Sequence, residues 1–168
     1  MQQLIFNVML GELITVTQAP HFFHIHTYSE EKEKWEVGKI YSTGTRNRVF
    51  KNPPKRFREE GFEKIRKESF KEFPSRYSCL FLSDNLPTAK YWAEKLQTRT
   101  GNVQCVEIEL LSGKYVYVDE SIYDMDRLKN CEIQKDANDY WNGYEMEVNP
   151  VITILFEGDF KICDEIPV

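Results

Sequence analysis

Residues 78–97, S-C-L-F-L-S-D-N-L-P-T-A-K-Y-W-A-E-K-L-Q, pass from one regular element to another with almost no loop between them. The serine-bounded apolar run at 78–83 predicts a short, fully buried strand. From Leu86 the period changes. Ala89, Trp92, Ala93 and Leu96 share one helical stripe, and Pro87 sits in the first turn, where its missing N–H costs little. Upstream, residues 58–73 predict an amphipathic helix. Phe62, Ile65, Ser69, Phe70 and Phe73 keep helical spacing, Glu60/Lys64 and Glu63/Lys67 are favourable pairs, and Pro74 stops it.

Further outward the pattern is strand-rich. F-F-H-I-H-T at 22–27 predicts a strand, with His24 and His26 on one face and Phe23, Ile25 and Thr27 on the other. A short strand is expected at 38–41, followed by a loop at 43–55 carrying Gly44, Asn47, Asn52 and Pro53-Pro54. Beyond the second helix, Val106, Ile108 and Leu110 alternate inward along 103–111, a turn falls at Ser112-Gly113, and 115–118 is a further strand. A short helix is expected at 121–128, then polar loop to 138. A closing hairpin at 151–156 and 160–166 would turn about Glu157-Gly158-Asp159. Short strands with two good helices set among them give an α+β layout, not a doubly wound sheet.

At 168 residues the chain is expected to be a single domain. Its 41% hydrophobic and 14% aromatic content excludes a disordered or fibrous chain. Neither common glycine-rich phosphate cradle occurs among its 8 glycines, so a bound nucleotide must be held by side chains. The net charge of −5 hides an asymmetry: residues 46–76 carry +6 and the remainder −11. That basic stretch is either a solvated helix face with a loop or the footprint of an anionic partner, nucleic acid included. Cys79, Cys105, Cys131 and Cys163 are widely spaced, which reads as reduced thiols in a cytoplasmic setting. The apolar run at 4–16 is broken by Asn7, Gly11 and Glu12 and lacks a basic start, so neither a signal peptide nor a membrane span is expected.

Three groups of residues carry possible chemistry. His24 is placed to bond a ribose hydroxyl or a ligand carbonyl, or to be a satisfied core histidine. The H-x-x-H-x-H formed by His21, His24 and His26 lacks metal-ligand spacing and neighbouring thiolates, so no metal is expected. Arg76, between a helix end and the buried strand, suits phosphate recognition or caps helix carbonyls near Phe73. Phe81 either packs in the core or offers its ring to a planar ligand. In Y-W-x-G-Y-E-M-E-V at 140–148, Glu145 and Glu147 would share one side of an extended segment. There they would stabilise a developing cation and position a nucleophile, or form an exposed acidic edge.

The order of strand histidine, aromatic strand with helix, and E-x-E before a terminal hairpin resembles the ADP-ribosyltransferase fold, in its histidine–aromatic–glutamate branch. The likeness spans about residues 22–166, and P-S-R-x-x-C-L-F with Y-W-x-G also resembles a bacterial and phage domain associated with that fold. It implies a split β-sandwich of two small, mostly antiparallel sheets with two or three helices and NAD, as substrate, in the cleft between them. It further implies His24 on the ribose, Phe81 on the nicotinamide ring, Arg76 on the pyrophosphate, Ser83 among the cofactor-binding residues, Glu147 as catalytic carboxylate and Glu145 orienting the acceptor. The branch often has tyrosine where Phe81 stands. The implied activity is mono-ADP-ribosyl transfer to a protein or nucleic acid, in a toxin, defence or phage–host conflict setting with a neutralising partner protein. NAD hydrolysis and a non-catalytic interaction module using residues 46–76 are the alternatives.

Overall fold

The computed structural model describes residues 9–44, 53–125, 127 and 129–168. Arg46 and Arg48, most of the loop expected at 43–55 and the first half of the 4–16 run lie outside the described residues. The elements run β1 (Ile14–Thr15), β2 (His21–Thr27), β3 (Ile40–Ser42), α1 (Pro53–Ser69), β4 (Leu80–Ser83) and α2 (Leu86–Thr100). They continue as β5 (Val103–Asp119), α3 (Glu120–Tyr123), α4 (Asn130–Trp141) and β6 (Ile152–Ile166). The class is α+β, and every strand pairing is antiparallel.

The strands form one connected sheet of six rather than two separate sheets. β5 and β6 pair along a ladder from Cys105↔Ile166 to Asp119↔Ile152. β2 lies beside the first half of β5 and β4 beside the first half of β6, at opposite ends of that ladder. β2 and β4 nevertheless pair with each other, Phe23 opposite Ser83 and His24 opposite Leu82. The circuit β5–β2–β4–β6 therefore closes. With β1 on the second half of β5 and β3 on the second half of β6, the ladder carries two half-sheets that meet again at the β2–β4 seam.

The sequence predicts turns at Ser112-Gly113 and at Glu157-Gly158-Asp159, whereas the structure runs β5 and β6 straight through both. Gly113 and Gly158 face each other in the ladder, with φ of +112° and +153°, next to register shifts between Glu107/Ile108 and Leu110/Ser112. A Cβ on either would collide with the carbonyl oxygen of Ser112 or Glu157. Glycine here is what lets the ladder bend between its two half-sheets. Turn composition alone does not distinguish such a bend from a chain reversal.

α2 begins where the sequence predicts. The Asn85 side chain accepts from Thr88 N–H at 2.9 Å, and Gly101 at φ +88° ends the helix. α1 is shifted toward its N-terminus relative to 58–73, and the chain beyond it is held by Arg66. That guanidinium donates to the Phe73 and Lys71 carbonyls at 3.0 and 3.1 Å, the role expected of Arg76. α4 replaces part of the polar loop expected up to 138, and α3 is shorter than the helix expected at 121–128. Ile133, Ala137, Tyr140 and Trp141 form a narrow buried stripe on an otherwise polar helix, too sparse to read by eye. Trp141 is fully buried against α1, and its indole N–H donates to the Phe62 carbonyl at 2.9 Å. Three core clusters result among the described residues. One lies between α1, α4 and the sheet, one inside the strand circuit, and one beneath α2 around Ile25, Ala89, Ala93 and Cys105.

Candidate functional site

A cleft of about 390 Å³ opens along the β2–β4 seam, walled by α2, α3 and the segment around Trp35. His24, Arg76, Phe81 and Ser83, four of the six residues singled out from sequence, line it. Their convergence follows from the register that sets His24 opposite Leu82 and Phe23 opposite Ser83.

His24 Nδ1 lies 2.8 Å from the Phe81 carbonyl oxygen, so it donates and Nε2 is left as an acceptor. Burial pulls the His24 pKa from 6.5 to about 4; the Phe81 hydrogen bond opposes this and the neighbouring His26 adds to it. The ring is neutral at physiological pH. Trp35 stacks on both histidines, with centroids 5.1 Å from His24 and 4.1 Å from His26. Gln104 fixes Trp35 by accepting from its N–H at 3.0 Å and donating to its carbonyl at 2.9 Å.

The depressed His24 pKa carries a stability consequence. Between about pH 6.5 and 4 the unfolded chain takes up a proton on His24 that the folded chain refuses. Stability present above that window is thus lost as pH falls through it, by up to ~3 kcal/mol. Urea midpoints at pH 7.5 and 4.5 should fall less for His24→Gln than for the wild type. An equal fall in both would place the acid sensitivity elsewhere.

Arg76 does not face a ligand as a spare cation. It is 5% exposed, its Nε donates to Glu59 at 2.7 Å, and its Nη1 donates to Glu120 at 2.8 and 3.0 Å. Nη1 also lies 2.6 Å from the Tyr140 hydroxyl, and the guanidinium stacks over Tyr123 at 3.8 Å. Burial opposes its charge, but Glu120 and Glu59 outweigh that and keep it protonated. The pyrophosphate role read from sequence is corrected accordingly, since two buried acids already occupy the guanidinium. Burial pushes the Glu120 carboxyl upward against the pull of Arg76.

Glu145 and Glu147 are not in the cleft. Both are exposed in the irregular connection between α4 and β6, and Glu145 lines a separate shallow depression beside the start of α2. The segment forms no strand and bends at residues 147–149, so the i, i+2 argument fails there. Asp119, fully buried, accepts from the N–H groups of Met146 and Val151 at 2.8 and 2.9 Å, and Asn149 takes φ +51°. These contacts fold the connection back on the end of β5. The carboxylates lining the cleft among the described residues are instead Glu120 and Asp124.

Other lining groups went unread in the sequence. Thr153, 2% exposed, has a hydroxyl without a hydrogen-bond partner among the described residues, and so does the indole N–H of Trp92. A buried polar atom left unpaired is costly, so both mark places for an incoming partner. Lys55, Lys95 and Arg99 also line the cleft. Lys95 pairs with Asp124 at 3.3 Å, while Lys55 and Arg99 form no ion pair with a described residue. Apolar walls from Phe81, Leu82, Trp92 and Leu96 complete the lining. No short motif contains these groups, because they meet only through the strand circuit.

Together, the closed antiparallel circuit and its half-enclosed cleft define an α+β domain with a candidate ligand site among the described residues. Residues 45–167 match the model of the DUF2441 family, described as proteins of unknown function, and the chain belongs to that family. The match takes in β4, α2 and the β5–β6 ladder, and begins after β2 and His24. No curated protein matches the chain. No helix among the described residues is long and apolar enough to cross a membrane.

Proposed function

We propose that the cleft binds NAD and that the protein is an ADP-ribosyltransferase-like enzyme, its two half-sheets playing the part of the split sandwich. The observation that carries this reading is the convergence of His24, Phe81 and Ser83, from two strands some sixty residues apart, on one cleft with an unpaired buried hydroxyl at Thr153. A neutral His24 with Nε2 free to accept suits a ribose hydroxyl. Phe81 offers an aromatic face, and Lys55, Lys95 and Arg99 supply the cationic partners for a pyrophosphate in place of Arg76. Glu120 takes the place first assigned to Glu147. Its carboxylate is fixed by Arg76 and Tyr140 and faces the site in which positive charge would develop. In the reaction the nicotinamide–C1′ bond breaks, its electron pair leaving with neutral nicotinamide. An acceptor nucleophile then bonds C1′ and releases its proton.

Arg76 offsets part of the Glu120 charge, so Glu120→Gln should slow nicotinamide release by about 10²-fold, the low end for one aligned electrostatic group. Thr153→Val, which replaces the hydroxyl with a methyl of similar size, should weaken NAD binding by up to about tenfold. Calorimetry with NAD and chromatography of released nicotinamide are the measurements. Absence of NAD heat at millimolar concentration overturns the reading. Binding without release under any acceptor supports a second reading, a non-catalytic NAD-binding module, favoured by the position of Glu145 and Glu147 outside the cleft.

A further inference from the structure

His21 has opposite parity to His24 on β2 and takes no part in the cleft. It lies directly across from Glu109 on β5, and Glu109 in turn lies beside β6. On β6 the ladder slips: Ile162 pairs with Ile108 and Asp164 with Glu107, so Cys163 is the extra residue of a bulge. The slip brings its sulfur to the same outer surface as Glu109. His21 Nε2 lies 3.7 Å from Glu109 Oε2, and Cys163 Sγ lies 3.9 Å from that same oxygen. One nitrogen, one oxygen and one sulfur thus fall within 4.8 Å of one another, on three adjacent strands.

We propose that His21, Glu109 and Cys163 form a zinc-binding site. Neutral imidazole, carboxylate and thiolate are the donor set of Zn²⁺, and no harder divalent ion favours the sulfur. Around a tetrahedral ion with ordinary bond lengths the donor atoms would stand about 3.3–3.6 Å apart. The two separations from Glu109 Oε2 need to close by only a few tenths of an ångström and the histidine–cysteine gap by at most about 1.2 Å, within the reach of side-chain rotation. All three side chains are partly exposed, so the ion has a direct path from solvent. Glu107 completes the arrangement: its carboxylate lies 3.4 Å from His21 Nδ1, placed to accept from that N–H while Nε2 faces the metal. Glu107 is a positioning residue; three protein ligands leave the fourth vertex to water or an exogenous ligand. On binding, the Cys163 thiol gives its proton to solvent and bonds the ion as thiolate. The spacing of H-x-x-H-x-H offers His21 no co-ligands and so predicts no metal; the partners come from two other strands.

Cobalt(II), followed by zinc competition, tests this on the full chain stripped with chelator. One equivalent should bind, giving tetrahedral d–d bands and a thiolate-to-cobalt charge-transfer band that zinc removes. Cys163→Ser should abolish the charge-transfer band, and His21→Ala or Glu109→Gln should weaken binding at least about tenfold. Glu107→Gln should keep the band while lowering affinity about 10- to 100-fold. Cys131→Ser, which alters the exposed cysteine of α4, should change nothing. These positions lie on the surface, so melting temperatures in chelator should match the wild type and separate lost binding from lost folding. No charge-transfer band in the wild type, its survival in Cys163→Ser, or its loss in Cys131→Ser overturns the proposal.

Discussion

Arg76→Met is expected to destabilise the fold by about 3–5 kcal/mol, the scale for removing one partner from a buried ionic cluster. The methionine would fill much of the volume, so packing is not the main loss. Glu59 and Glu120, 5% exposed each, would face one another with no cation between them. The Glu120 carboxyl, already pushed up by burial, would lose the opposing pull of Arg76, and a carboxyl with a raised folded pKa stabilises below its unfolded value and loses that contribution as pH rises through the folded one. The variant should therefore recover more stability on acidification below about pH 5 than the wild type, in which Arg76 pulls the Glu120 carboxyl back down. Adding Glu59→Gln and Glu120→Gln should return most of the loss at neutral pH, because an uncharged cluster of similar shape avoids the desolvation penalty altogether. Denaturant midpoints across pH decide it. A single variant as stable as the wild type at pH 7 would mean that water or a rearranged side chain satisfies the two acids.

Gly158→Ala is expected to cost about 3 kcal/mol or more, combining backbone strain with a steric clash that the strands cannot relieve locally. The added methyl meets the Ser112 carbonyl across the ladder, and backbone on both sides is tied into the β5–β6 pairing. For a chain of this length that corresponds to a fall in melting temperature of roughly 6–12 °C. Gly38→Ala is the natural control. It too has a positive φ, +90°, but no atom within 4 Å of the new Cβ, so only the strain term remains. If both alanines cost the same, the close approach of Ser112 contributes nothing and the bend is set elsewhere.

These two sites mark the boundary of what residue patterns convey. The strand at 22–27, the strand–helix passage at 78–97 and the inward alternation of Val106, Ile108 and Leu110 were legible because each is governed by neighbours in sequence. The strong signals placed His24, Phe81 and Ser83 correctly on their elements, and the β2–β4 register did the rest. Arg76 and Glu147 could not be placed in this way. Whether an arginine faces a ligand or two buried acids depends on Glu59, 17 positions away, and Glu120, 44 positions away. Whether E-x-E is extended depends on Asp119 capturing the N–H groups of Met146 and Val151. Thr153 and Trp92 carry no motif at all; only burial reveals that their polar atoms are unanswered.

Since the two strands of the seam each lean on one strand of the long ladder, neither side of the opening is mechanically independent. An occupant that pushes the seam apart must flex the ladder at its glycine crossing, to which the lining residue Thr43 is tied by hydrogen bonds with Gly158. Aperture is thus a property of curvature, not of loop length. Substitutions at the crossing should retune which molecules fit while leaving every lining side chain unchanged.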